Sequence, residues 1–264
     1  MSYLTTAFTE TKDYLTSRKF IYSVLGLVLL LALWQLSSLM MHEIMIASPY
    51  QAFKALFRMS TTERFWDASW ATAQRALAGV LIGGIAGFVF GIMAGLNDNI
   101  RNLFEPMRWM IMSISPVIVV GIAMLMFGMG TQMVIIIAAV LLAPIVYVNT
   151  IKGIEMVDEN IIEMANVYKY SIAKKLIHIY IPALVGPLSA AMTIVVTAGM
   201  RMIVLAEVLG TNSGIGYEFS FAKTDMNTPE VFAWVIVTLV FVGIAEYLIF
   251  KPIENYLLRW RRIK

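Results

Sequence analysis

The side chains that most often perform chemistry in proteins are few in this sequence and lie far apart. It contains no cysteine and two histidines, His42 and His178, so a thiolate metal site and a cysteine nucleophile are excluded. Neither histidine lies near the other or near Ser113 and Ser115, which argues against a histidine-based metal site or catalytic dyad. No lysine follows a glycine, so there is no Walker A loop to cradle nucleotide phosphates. We predict no metal site and no catalytic residue.

The remaining candidates are charged residues within apolar stretches. Arg201 is the clearest example, because a charge inside a bilayer is costly and marks a partner or a pathway. Its guanidinium is suited to planar oxyanions such as carboxylate, sulfonate or nitrate. The alternative is a structural ion pair with Glu207 or Glu246. The candidate pathway through the membrane consists of Arg201, Ser113, Ser115 and Glu207.

The composition is that of a membrane protein. Of the 264 residues, 59% are hydrophobic and 14% charged, whereas soluble domains are about 25% charged. About 20 apolar residues of helix cross a bilayer core, so we predict an all-α integral membrane protein of one domain, 1–264, with six transmembrane helices. The predicted spans are 20–41, 76–96, 109–128, 133–151, 183–206 and 231–250. The first is too long for a signal peptide and is expected to remain as an anchor.

The basic residues predict the orientation of the chain. Five of the 20 lie on one side of the predicted spans, at Lys54, Arg58, Arg64, Arg75 and Lys223, and fourteen lie on the other side. The positive-inside rule therefore places both termini and the segment 152–182 in the cytoplasm. The modest net charge of +3 is spread over the chain, so no nucleic-acid partner is predicted. The mixed stretch 49–70 is predicted to be a helix in the outer interface, with a solvated loop as the alternative.

Glycines spaced by four form a stripe along the second predicted span. A helix face without side chains allows another helix to approach closely, which is how helices associate in lipid. We predict a packing role, and sliding of one helix past another is a functional alternative. The stripe consists of Gly79, Gly83, Gly87, Gly91 and Gly95.

The cytoplasmic segment 152–182 has the pattern of a docking element. Acidic residues occupy its first half and lysines its second half, and Ile161 to Val167 supply an apolar side. Ser171 is placed to cap a second short helix that runs to Ile179, and Pro182 to open the next span where a missing N–H costs nothing. An ordinary surface helix pair is the alternative.

This segment resembles the cytoplasmic motif of ABC importer permeases, which reads Glu-Ala-Ala, three residues, Gly, nine residues, Ile, one residue, Leu-Pro. The chain keeps the spacing with Glu163-Met164-Ala165, Lys169 and Ile179-Tyr180-Ile181-Pro182. Lys169 replaces the glycine that would permit a left-handed turn between two short helices, at a cost of about 1 kcal/mol. The resemblance assigns ATPase docking to Glu163, Met164, Ala165, Lys169, Ser171, Ile179 and Pro182.

Most of the chain is similar to the permeases of nitrate, taurine and alkanesulfonate importers. The similar positions are Ala47-Ser48-Pro49, Arg75 with Ala78-Gly79, Phe127-Gly128-Met129-Gly130, Ala206-Glu207, Gly214-Ile215-Gly216-Tyr217 and Arg259-Trp260-Arg261. The chain departs from the family at Ser113-Ile114-Ser115-Pro116, where relatives usually carry an arginine and a second proline.

The resemblance implies a permease with the type I ABC importer fold and a cytoplasmic coupling helix, in the bacterial inner membrane. It implies partners, namely a second copy of the chain, two cytoplasmic ATPase subunits that bind ATP and Mg, and an external or periplasmic solute-binding protein. The chain itself would bind no cofactor and would be a transport subunit rather than an enzyme, moving a small anionic solute. An ion-coupled carrier without an ATPase is the alternative, although the long docking segment argues against it.

Overall fold

The computed structural model describes residues 18–42, 45–252 and 254, and within these ranges the chain folds into helices without strands. The C-terminal Arg259-Trp260-Arg261 lies outside the described residues. The helices are α1 (Arg18–Met40), α2 (Pro49–Ser60), α3 (Glu63–Leu96), α4 (Asp98–Ser113), α5 (Pro116–Phe127), α6 (Thr131–Glu155), α7 (Glu159–Val167), α8 (Ile172–Lys175), α9 (Ile181–Gly210), α10 (Ile215–Thr224) and α11 (Thr228–Gly243). Two π-helical stretches, Leu176–Tyr180 and Ile244–Phe250, join α8 to α9 and extend α11.

Among the described residues, five helical runs are long and apolar enough to cross a membrane. They are Ile21–Met40, Glu63–Leu96, Thr131–Glu155, Ile172–Gly210 and Thr228–Leu248. The second run starts well before the predicted residue 76, so the predicted interfacial stretch 49–70 is divided between α2 and the start of α3. The charged residues in the first turns of α3 remain exposed, and Arg64 there forms an ion pair with Glu218.

The predicted span 109–128 is not one straight helix. It is broken between α4 and α5, whose axes differ in direction by 102°. Ile114 and Ser115 have extended backbone angles, with ψ of 137° and 131°. The residue before a proline is disfavoured in the helical conformation, so Pro116 ends α4 and starts a new helix.

The core of the bundle is the contact between α3 and α6, where the glycine stripe lies. A Cβ atom added to Gly79 would lie 2.6 Å from Cβ of Ala138, and one added to Gly91 would lie 2.7 Å from Cβ of Thr150. Gly83, Gly87 and Gly95 face α6 in the same way. The stripe therefore brings the two helices to backbone contact, with no room for side chains between them.

The same contacts give the direction of the helices. Moving from Gly79 to Gly95 along α3 corresponds to moving from Ala138 to Ile154 along α6, so the two helices run parallel. The chain between them must return across the bundle, and only the bent pair α4–α5 connects them. The bent pair therefore completes a crossing, which brings the number of crossings in the described part of the chain to six.

Candidate functional site

The predicted docking segment forms two short helices joined by a tight turn. Asp158 caps α7 by accepting a hydrogen bond from the N–H of Asn160 at 2.9 Å. Lys169 follows α7 in the left-handed region, with φ of 54°, and the N–H of Tyr170 donates to the carbonyl of Ala165 at 2.9 Å. Ser171 caps α8, because its hydroxyl accepts from the N–H of Lys174 at 3.4 Å. Lys169 therefore adopts a left-handed conformation, which glycine would adopt at lower cost.

The docking candidates differ in exposure. Glu163 and Met164 are exposed on α7, whereas Ala165 is buried against the turn. Pro182 is exposed near the start of α9 and has no N–H to donate. The turn before Pro182 is a π-helix, in which the N–H of Ile181 donates to the carbonyl of Leu176. Ile179 lies in this turn and is half-buried. The second short helix and the fifth span are therefore one continuous helical run.

The candidate pathway residues are not gathered at one point. Ser113 and Ser115 are exposed at the break between α4 and α5. Arg201 is exposed on α9, and its Nε donates to the carbonyl of Thr197 at 3.2 Å. No hydrogen bond among the described residues joins these serines to Arg201.

Glu207, the fourth pathway candidate, is fully buried. Its carboxylate accepts a hydrogen bond from Nη1 of Arg75 at 2.6 Å, from the hydroxyl of Thr72 at 2.9 and 3.0 Å, and from the N–H of Gly216 at 3.0 Å. The alternative of an ion pair between Arg201 and Glu207 is therefore not realised in this structure, in which the partner of Glu207 is Arg75. The place of Glu207 on the pathway remains a prediction. Glu246 accepts from the hydroxyl of Thr197 at 3.3 Å, and the described ion pairs include none to Arg201.

Arg75 is the partner that sequence reasoning missed. It is 2% exposed, and its guanidinium also donates to the hydroxyl of Thr131 at 3.0 Å and to the carbonyl of Ser213 at 2.7 Å. These bonds join α3, the start of α6, the end of α9 and the loop before α10 at one end of the bundle. In the sequence, Arg75 and Glu207 lie at the ends of two predicted spans and carry opposite charges. No short-range pattern indicates that they form a pair.

The loop before α10 needs two glycines to close over this pair. Gly214 has φ of 106°, and a Cβ there would collide with the carboxylate of Glu207. A Cβ on Gly216 would lie 2.7 Å from Cβ of Glu207. The short Gly-Ile-Gly sequence therefore fits around a buried carboxylate, which explains why it accompanies Glu207.

Comparisons with known proteins point to one family. Residues 87–259 match the family described as binding-protein-dependent transport system inner membrane component. The chain is 25% identical over 233 residues to the putative aliphatic sulfonates transport permease protein of Escherichia coli (strain K12), covering 88% of each chain. It is 24% identical over 244 residues to the nitrate import permease protein of Leptolyngbya laminosa, covering 89% of this chain and 85% of the relative.

Solved structures support the same fold. A bacterial ABC transporter involved in the import of the acidic polysaccharide alginate superposes with a TM-score of 0.67 at 13% identity, covering 96% of this chain and 98% of that one. The inward-facing MetNI methionine ABC transporter superposes with a TM-score of 0.59 at 16% identity, covering 71% and 96%. The fold is that of the type I ABC importer permeases, and the chain belongs to the family of inner membrane components of binding-protein-dependent transport systems.

Proposed function

We propose that two copies of this chain form the membrane passage of an ATP-driven importer, with both termini in the cytoplasm. Two ATPase subunits would bind ATP and Mg and dock on the α7–α8 segment, and an external binding protein would deliver a small anionic solute. Relatives named for sulfonate, nitrate and bicarbonate transport support an anionic solute.

The observation that carries the docking proposal is an apolar surface on α7 and α8. Val167 is 79% exposed and Ile172 76% exposed, and the segment lies between two spans rather than within one. Contiguous exposed apolar side chains on a water-facing element mark protein interaction sites. We define this docking patch as Ile161, Met164, Val167, Tyr168 and Ile172, all of which are exposed.

A charge placed in the patch tests the proposal. Tagged protein would be purified from its native membrane, and copurifying chains identified by mass analysis and assayed for ATP hydrolysis. The double substitution Met164→Asp and Val167→Asp should remove the ATPase chain, because a buried unpaired carboxylate is costly at an interface. The control is Met226→Asp, which changes a methionine in the α10–α11 connection that is 75% exposed, against 55% for Met164. An ATPase chain retained by the double variant would refute docking at this patch.

Arg201 supports the anionic solute and the second copy. Thr193, Thr197 and Arg201 are spaced by four on α9, so they lie along one face of the helix. Charged residues within spans almost always face the interior of a bundle or a water-filled cavity. The single chain leaves Arg201 exposed, so a second copy has to complete the passage around it. Two guanidinium groups in that passage would attract an oxyanion.

Uptake by the reconstituted importer tests this role. Labelled nitrate, taurine, bicarbonate and an alkanesulfonate would be offered in turn with their binding protein. Arg201→Gln should lower uptake of the accepted anion by about tenfold or more, since a hydrogen bond to a charged group contributes about 1.5–3 kcal/mol. Arg201→Lys should retain part of the activity. Unchanged uptake by Arg201→Gln would exclude Arg201 from the passage. It would not contradict the proposal that ATPase subunits dock on α7 and α8.

A further inference from the structure

An open cleft of about 460 Å³ lies between α3, α4 and α6. Its walls are apolar and include Ile82, Phe90, Met107, Ile136 and Pro144. Two polar side chains, Arg108 and Tyr147, also line it. None of the four pathway candidates lines this cleft, so the cleft needs its own explanation.

Tyr147 gives the cleft an unused hydrogen-bond donor. The side chain is 5% exposed, and its hydroxyl is buried with no hydrogen-bond partner among the described residues. Buried hydroxyl groups almost always have a partner, because leaving one unpaired costs free energy. The hydroxyl therefore points to an acceptor supplied from outside the chain.

Two arginines lie at the same end of the cleft, and each is paired with a carboxylate. Arg108 lines the cleft beside Tyr147, and its guanidinium binds Glu105 on the same helix. Arg101, one end of an ion pair with Glu155, also lies within electrostatic range of Tyr147. Each arginine has donors beyond those used by its carboxylate, because a guanidinium carries five N–H groups. An anionic group could bind at this end.

The dimensions of the cleft fit one hydrocarbon chain. Along α6 it extends from Ile135 to Tyr147, which at 1.5 Å per residue is about 18 Å. Half of a bilayer core is about 15 Å thick. An extended acyl chain that reaches from the interface towards the bilayer midplane would match the length of the cleft.

We propose that this cleft binds one acyl chain of an anionic glycerophospholipid. The ester carbonyl of the lipid accepts a hydrogen bond from the Tyr147 hydroxyl, and its phosphate lies beside Arg108. The lipid then acts as a bound component of the fold that fills the space between α4 and the α3–α6 core.

Lipid binding by the intact chain tests the proposal without any transport assay. Delipidated protein in detergent would be titrated with phosphatidylglycerol or phosphatidylcholine, and the lipids that remain bound counted by native mass spectrometry. We expect one retained phosphatidylglycerol per chain and weaker retention of phosphatidylcholine. Ala86→Phe fills the cleft and should abolish retention, whereas Ile85→Phe, on an exposed and neighbouring position of α3, should not.

Tyr147→Phe keeps the shape of the cleft and removes only the hydroxyl, so it tests the proposal even if Ala86→Phe fails to fold. It should weaken retention of phosphatidylglycerol about fivefold, the typical effect of one hydrogen bond. Three results would overturn the proposal. These are no retained lipid in the unaltered protein, equal retention in Ala86→Phe and Ile85→Phe, or equal affinity of Tyr147→Phe and the unaltered protein for phosphatidylglycerol.

Discussion

At the scale of single residues, the buried pair of Arg75 and Glu207 is the main feature that the sequence did not predict. The two residues are 132 positions apart, and nothing in the local sequence distinguishes either from other charged residues. Periodicity and spacing along one helix contain no information about which distant charges meet. The glycine stripe, by contrast, was predictable because all its residues lie on one helix and share one face.

Removing one partner of this pair should strongly destabilise the protein. Glu207→Ala leaves the Arg75 guanidinium buried without its carboxylate, and breaking a buried pair in this way costs about 3–5 kcal/mol. The double variant Arg75→Met and Glu207→Leu should recover most of that loss, because no uncompensated charge remains. Thermal unfolding in detergent would measure both variants.

The exposed pair of Arg58 and Glu230 provides the matched control for this measurement. Its arginine side chain is 75% exposed, and surface pairs contribute about 0–1 kcal/mol. Arg58→Met should therefore change the unfolding temperature little. Equal losses from Arg58→Met and Glu207→Ala would contradict the distinction between the two pairs.

Two adjacent glycines on α3 should respond in opposite ways to the same substitution. A Cβ on Gly83 would lie 2.8 Å from the backbone oxygen of Ala139, whereas a Cβ on Gly84 would meet nothing within 4 Å. Gly83→Ala should destabilise the fold by about 1–3 kcal/mol, since the backbone of α6 has to move away. Gly84→Ala should be neutral or slightly stabilising, because alanine is the better helix former.

Resistance to unfolding in sodium dodecyl sulfate would compare these two variants. If Gly83→Ala were as stable as Gly84→Ala, the close approach of α3 and α6 would be wrong.

At the scale of secondary-structure elements, the turn between α7 and α8 has a backbone that glycine would adopt more easily. Lys169 has φ of 54°, and a residue with a Cβ pays about 1 kcal/mol for the left-handed conformation. Lys169→Gly should therefore slow amide hydrogen exchange in the 159–175 segment. Tyr168→Gly, which changes the preceding residue with negative φ, should accelerate it. Faster exchange in Lys169→Gly would show that the lysine side chain stabilises the turn by more than its backbone strain.

The break between α4 and α5 could not be predicted from hydropathy. The stretch 109–128 is apolar enough for a span, and a window average does not register a single proline. Pro116 gave the only local signal, since it disfavours helical geometry at Ser115. The size of the bend was not predictable, because it depends on how α5 packs against α6 and α9.

At the scale of the whole molecule, α3 and α6 run parallel, so the chain between them has to cross the membrane once. Added to the five helical runs, this crossing makes the number of crossings in the described residues even. Trp34 of α1 stacks on Phe232 of α11, with ring centroids 5.4 Å apart. The last turns of α1 therefore lie beside the first turns of α11, so these two helices run antiparallel. The sequence predicted the six spans from hydropathy, but only the packing shows that the bent pair has to be one of them.

This arrangement predicts opposite exposure for two polar positions, and the absence of cysteine from the sequence makes the experiment simple. Asn102→Cys at the start of α4 and Thr224→Cys at the end of α10 each place one exposed thiol outside the apolar runs. The positive-inside rule places Thr224 outside the cell, so an impermeant maleimide should label it in intact spheroplasts. Asn102→Cys should react only after the membrane is permeabilised. Labelling of both positions from outside would mean that the α4–α5 pair enters and leaves on one side, and that α3 and α6 are not parallel.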